Sequence, residues 1–167
     1  MKLPICTIDA QTGTLCRKCK KLYQEGKIND IDIKLSKLLI NMSKSNQQLR
    51  DIAFYSSLEF EDDVIIVTRG KDISLLSSPN IISQIRDVTQ KEIRFLEKTK
   101  DSKKLVETLL DPIPIEQVSI IYIPPFSDKQ YKIEIQKKYK DSLPIPEGLI
   151  IQTVASVLDT EAYIEYV

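Results

Sequence analysis

The sequence predicts an α+β protein: two copies of one helix–strand–strand–short helix–helix–strand unit behind a short cysteine-bearing segment. Three observations predict it. Hydrophobic residues alternate between the helical period of about 3.6 and the strand period of about 2, in the same order twice along the chain. Landmarks recur 69 residues apart: Asp63 opens "DVIIV" and Lys132 opens "KIEIQ", while Ile81-Ile82 returns as Ile150-Ile151. All three cysteines, Cys6, Cys16 and Cys19, fall before the first long amphipathic run. The expected organisation is a cysteine segment over 1–28, a first repeat over 29–99 and a second over 100–167.

In the first repeat, "INDIDIKLSKLLINMSK" sets Ile31, Leu35, Leu38, Leu39 and Met42 at helical spacing, with Asn29 or Asp30 as N-cap. "RDIAFYSSLEF" and "DVIIVTR" read as strands joined by a turn at "EDD". A short helix then breaks at Ser77–Asn80, because Pro79 disfavours helix in the residue before it. A longer helix carries Ile81, Ile82, Ile85 and Val88, and "EIRFLE" alternates as the closing strand. In the second repeat, "DSKKLVETLL" is a helix capped by Asp101 or Ser102 and stopped by "DPIP". "EQVSIIYI" and "QYKIEIQ" are strands around the turn "PPFSDK". "KYKDSLPIPEG" is short helical or irregular, "LIIQTVASVLDT" is a helix with Leu149, Val154, Val157 and Leu158 inward, and "EAYIEYV" is the last strand.

Composition excludes several classes of function. The chain has 167 residues, enough to bury a core, with 42% hydrophobic and 29% charged residues. No apolar run approaches the roughly 18–20 residues of a membrane span. The N-terminus lacks the apolar stretch and cleavage site of a secretory signal, so a cytoplasmic location with reduced thiols is expected. Twenty-four basic and 24 acidic residues cancel, which argues against strong nonspecific nucleic-acid binding but allows local basic faces in "CRKCKK" and "KIEIQKKYK". There is no histidine, which removes Ser-His-Asp and Cys-His catalysis and His-ligated metals. The four glycines stand apart, so no Gly-rich phosphate loop can form. No enzyme and no small-molecule substrate are expected.

The cysteines carry the sharpest local signal. Cys16-Arg17-Lys18-Cys19 has the spacing of half a zinc site, with basic residues to offset thiolate charge. Cys6 adds a third thiolate, and Cys6-Thr7-Ile8-Asp9 has the spacing of a second knuckle with Asp9 in the fourth place. Water or a partner's side chain is another way to fill that place. Three other readings stand beside zinc: a Cys16–Cys19 redox disulfide, plain buried thiols, and the relic of a full thiolate set. A zinc here would be structural, because a short segment with little core gains folding energy from metal.

The doubled element order resembles tandem KH domains of the type II, prokaryotic kind, as in the transcription factor NusA. "LVETLLDPIPIEQVSIIYI" looks like the junction between two such domains, and "QIRDVTQKEIRFLE" like the second long helix running into the last strand. "KLPICTIDAQTGTLCRKCKKLYQEGKINDIDIKLSKLLI" looks like the start of small archaeal NusA-like proteins with a cysteine-bearing N-terminus. The resemblance implies a non-enzymatic protein of transcription elongation or termination, with single-stranded RNA, RNA polymerase or RNA-processing proteins as partners and no membrane. A KH domain grips RNA through a GxxG loop. Here the first loop reads "SSPN" and the second "PIPEG", where proline has no N–H to donate and Glu147 repels phosphate. The residues left for RNA contact are Arg69, Lys71, Ser77, Ser78 and Asn80 at the first loop and Lys137, Lys138 and Lys140 before the second. The alternative is a protein-interaction adaptor in an RNA-processing or ribosomal assembly that has lost RNA binding.

Overall fold

Two short helices, α1 (Thr7–Thr12) and α2 (Arg17–Gln24), occupy the cysteine segment, to which the sequence alone assigns no helix. The computed structural model describes all residues, Met1–Val167, and divides into two units, Met1–Lys98 and Thr99–Val167.

In the first unit, α3 (Asp30–Ser43) starts at a capping box: the Asn29 side chain accepts the Asp32 N–H at 2.8 Å, and Asp32 accepts the Asn29 N–H at 3.0 Å. One face of α3, with Ile31, Leu35 and Leu39, packs on the sheet and on Ile81 and Ile85. Another face carries Ile40 and the half-buried Ile33 into a second cluster with Ile5, Ala10, Cys19 and Ile28. The helix is therefore a wall shared by two cores.

Strands β1 (Phe54–Phe60) and β2 (Asp63–Thr68) form an antiparallel hairpin whose turn holds Glu61 at a φ of 54°. Strand β3 (Glu92–Glu97) pairs parallel to β2. A parallel neighbour needs a crossover, which α4 (Ile73–Leu76) and α5 (Pro79–Thr89) supply. The break between these helices is shorter than the sequence predicts. Only Ser77 and Ser78 lie outside helix; Pro79 takes the first helical position, which needs no N–H, and Asn80 follows inside the first turn.

The second unit repeats the plan with α6 (Ser102–Leu110), β4 (Gln117–Ile123), β5 (Asp128–Ile135), α7 (Glu147–Leu158) and β6 (Ala162–Tyr166). Asp101 caps α6 by accepting the Lys104 N–H at 3.1 Å. Again the first two strands are antiparallel and the third is parallel to the middle one. A 3-10 turn at Lys137–Ser142 stands where the first unit has α4. The 69-residue offset is visible in packing: Val64, Ile66, Ile81 and Ile85 are buried, and so are Ile133, Ile135, Ile150 and Val154. On α7, Leu149 and Val154 are buried as expected, whereas Val157 and Leu158 are half-buried near the helix end and Ile150 takes the interior place.

A buried polar link in the first unit joins α3 to β1. Asp32, 1% exposed, accepts the Ser57 N–H and the Ser57 hydroxyl, each at 2.7 Å, besides the Asn29 N–H. Burial pushes its carboxyl above the ordinary value, against the pull of these hydrogen bonds. Asp32→Ala removes a cap and orphans the buried Ser57 N–H, so urea unfolding should show a loss of about 2–4 kcal/mol. A loss below about 0.5 kcal/mol, the range of a neutral surface change, would contradict this role.

Candidate metal centre

Two helix beginnings build the site. Cys6 is the N-cap of α1 and Asp9 its third residue; Cys16 is the N-cap of α2 and Cys19 its third. N-cap and third-position side chains lie on the same side of a first turn, so each tetrapeptide offers two donors in one direction. The two turns face each other because Gly13 ends α1 in the left-handed conformation, φ 76°, with its N–H on the Asp9 carbonyl at 2.8 Å. A side chain at residue 13 would strain this reversal. One donor atom from each of Cys6, Asp9, Cys16 and Cys19 lies within 4.8 Å of the others. A tetrahedral zinc with Zn–S bonds of about 2.3 Å places its donors about 3.8 Å apart. Closing the set on an ion therefore takes shifts of under about 1 Å, and the residues fit zinc.

Backbone groups already favour anionic donors. First-turn N–H groups have no partner inside their helix. Here the Cys16 N–H donates to Asp9 Oδ2 at 2.9 Å and the Cys19 N–H to Cys16 Sγ at 3.5 Å. The Asp9 N–H favours the Cys6 thiolate, and the Cys6 N–H favours that of Cys19.

Asp9 is 3% exposed. Its hydrogen bonds come from Cys19, Cys16 and Cys6 rather than from a lysine or arginine, and they hold its carboxyl well below the usual carboxylate range. Burial, and next its hydrogen bond to Asp9, push the Cys19 thiol up to about 12. Cys6 is also raised: its gain from the Asp9 N–H is outweighed by the Asp9 carboxylate and by desolvation. All three thiols are free; Cys19 is buried, and Cys6 and Cys16 reach the surface. Without metal the site thus favours an ionised Asp9 beside protonated Cys6 and Cys19. A divalent cation would displace those protons and pair the buried charge.

The other residues singled out from sequence fall into the two units. Arg69 lies against Asp72, with Nε 2.9 Å from Oδ2 and Nη2 3.1 Å from Oδ1, and also donates to the Asp51 carbonyl. Asp72 in turn accepts the Ala53 N–H at 3.0 Å, so the Arg69 charge is balanced within a buttress at the start of β1. Lys71 Nζ is 3.5 Å from Asp51. The Ser77 and Ser78 N–H groups donate to Ile73 and Leu75 at 2.9 and 3.1 Å. Asn80 is exposed and accepts from Gln84. Lys137, Lys138 and Lys140 are exposed on the 3-10 turn; Lys138 sits 4.9 Å from the Tyr139 ring and Lys140 5.6 Å from that of Tyr166. The Tyr166 hydroxyl donates to Glu147 at 2.6 Å. Of the candidates, the structure gathers the four metal donors into one site.

No family model matches the chain, and no curated protein does. Among solved structures it is similar to the crystal structure of APE1850, at 17% identity and a TM-score of 0.52, over 75% of this chain and 96% of that one. The likeness is one of fold. No helix is long and apolar enough to cross a membrane.

Purified protein should carry about one equivalent of zinc, and Cys19→Ser should carry none. Because Cys6 and Cys19 are raised and Asp9 is already ionised, zinc uptake near neutral pH should release protons from cysteine and none from Asp9. Affinity should therefore fall as pH falls. Calorimetry in two buffers of different ionisation enthalpy reads the proton count, and uptake without proton release would contradict the assignment.

Proposed function

We propose that this chain is a non-enzymatic, NusA-like protein of two type II KH modules, working on single-stranded RNA with the transcription machinery in elongation or termination. A structural zinc would clip its N-terminal helices. The observation that supports the proposal is the element order used twice, each time with two antiparallel strands and a third parallel to the middle one. Two helical segments cross over before that third strand in each unit, as a KH module requires.

The contact with RNA would differ from the family's. Two of the four amides of the first loop are used inside the fold and a third is a proline nitrogen, so a phosphate cradle has little to offer. Side-chain cations would carry the contact instead, chiefly Lys137, Lys138 and Lys140, which form no ion pair. A second reading, an adaptor that binds protein, draws on one feature. The edge strand β4 and its turn expose Ile120, Tyr122 and Phe126, the last at 83%.

Labelled single-stranded RNA should bind with an affinity that drops as salt rises. Lys137→Glu/Lys138→Glu/Lys140→Glu should weaken it about tenfold or more. No binding near physiological salt would remove RNA from the proposal. Partners that co-purify after RNase treatment would favour the adaptor.

A further inference from the structure

Helix α2 concentrates positive charge in a chain whose 24 basic and 24 acidic residues cancel overall. Arg17, Lys18, Lys20 and Lys21 fall within its first five residues. The helix turns Cys19 and Leu22 to the protein interior. Arg17, Lys18, Lys20, Lys21 and Gln24 border a depression on its outer side. The side chains of Arg17, Lys18 and Lys20 have no hydrogen-bond or ion-pair partner, and that of Lys21 meets only Glu25, at 3.8 Å. Elsewhere in the same unit, Arg69, Lys71, Arg86 and Lys91 all lie beside carboxylates.

This arrangement costs the helix stability. Like charges three and four residues apart repel, as Arg17 does with Lys20 and Lys21 and Lys18 with Lys21. Cations in a first turn also meet the positive end of the helix dipole. An anion on the outer face would offset both effects. Of the donors on this turn, Cys19 points inward and Cys16 reaches the surface.

We infer that the outer face of α2 is a phosphate-contacting surface for single-stranded RNA; this rests on the proposed reading that the chain binds RNA. The depression is lined only by arginine, lysine and glutamine. It lacks the apolar and aromatic anchors that centre a protein interface. It also lacks a ring on which a base could stack, so the contact is to the backbone and indifferent to sequence. Zinc and RNA are coupled through α2, because two of the metal donors, Cys16 and Cys19, fix the turn that carries these cations.

The test uses the zinc-loaded full chain, a fluorescein-labelled twelve-nucleotide RNA of mixed sequence, and anisotropy over a range of salt. Arg17→Gln/Lys18→Gln/Lys20→Gln should bind about tenfold or more weakly, with a log–log salt slope shallower by about 2, at roughly 0.7 per lost phosphate contact. Lys34→Gln/Lys44→Gln/Lys129→Gln removes equal charge from other exposed sites and should change affinity by less than about threefold. Unchanged binding by the α2 variant overturns the inference while the RNA-binding proposal stands. An equal loss in the control overturns it too, since bulk charge would then explain the effect. So does an α2 variant that loses zinc but keeps RNA, because its cations would serve the metal, or one that keeps RNA but loses a captured protein. Failure of the unaltered protein to bind the RNA overturns the RNA-binding proposal and this inference with it.

Discussion

A carboxylate that is 3% exposed, with neither lysine nor arginine beside it, calls for a cation, and the N-terminal segment is arranged around that need at Asp9. Its partners are the backbone N–H of Cys16 and the thiols of Cys6, Cys16 and Cys19. Each of the two short helices begins with one donor at its N-cap and another three residues on. Helices of six and eight residues do not persist alone in water. Here they are tied by Gly13, by the donor cluster, and by a small apolar cluster in which Cys19 itself is a member. A metal bound here would therefore be coupled to packing at Cys19.

The helix α3 connects this segment to the rest of its unit. One side, at Leu35 and Leu39, closes the core over β1–β3, while Ile40 receives the cysteine segment. Asp32 then holds α3 to β1 through Ser57. The second unit, whose plan starts at α6, has no counterpart to the cysteine segment. Its edge strand β4 stays open, with Tyr122 61% exposed. One plan is thus dressed in two ways. The first unit has a cationic helix with a cluster of candidate metal donors added; the second leaves an apolar edge and three lysines at a turn.

Much of the fold was legible in the sequence because local and tertiary preferences agree there. Asn29 and Asp32 form the expected cap, β2 is a short apolar run bounded by polar residues, and the 69-residue offset matches buried Ile81 and Ile85 to buried Ile150 and Val154. The donor set was also legible, since Cys6-x-x-Asp9 and Cys16-x-x-Cys19 share a spacing. The helices α1 and α2 were not, because at six and eight residues each is too short to stand out and depends on long-range packing. Ile33 and Ile40 could have signalled a second partner for α3, since both fall off its main apolar stripe. The link from Asp32 to Ser57 spans 25 residues and leaves no local trace. Arg69 read as a free cation, yet Asp72, three residues on, engages it.

The proposed function joins these features through charge. Loops that cannot offer amides to phosphate would be replaced by side-chain cations, on α2 in one unit and on the Lys137–Ser142 turn in the other. For the first of these, the metal would set the geometry of the cations without touching the ligand. The central claim is that the ion sits between three thiolates and Asp9. Zinc K-edge X-ray absorption on the purified protein tests it directly. Three sulfur neighbours at about 2.3 Å and one oxygen at about 2.0–2.2 Å are predicted. Four sulfurs, which would need a second chain, or a shell of oxygen and nitrogen alone, would contradict the account.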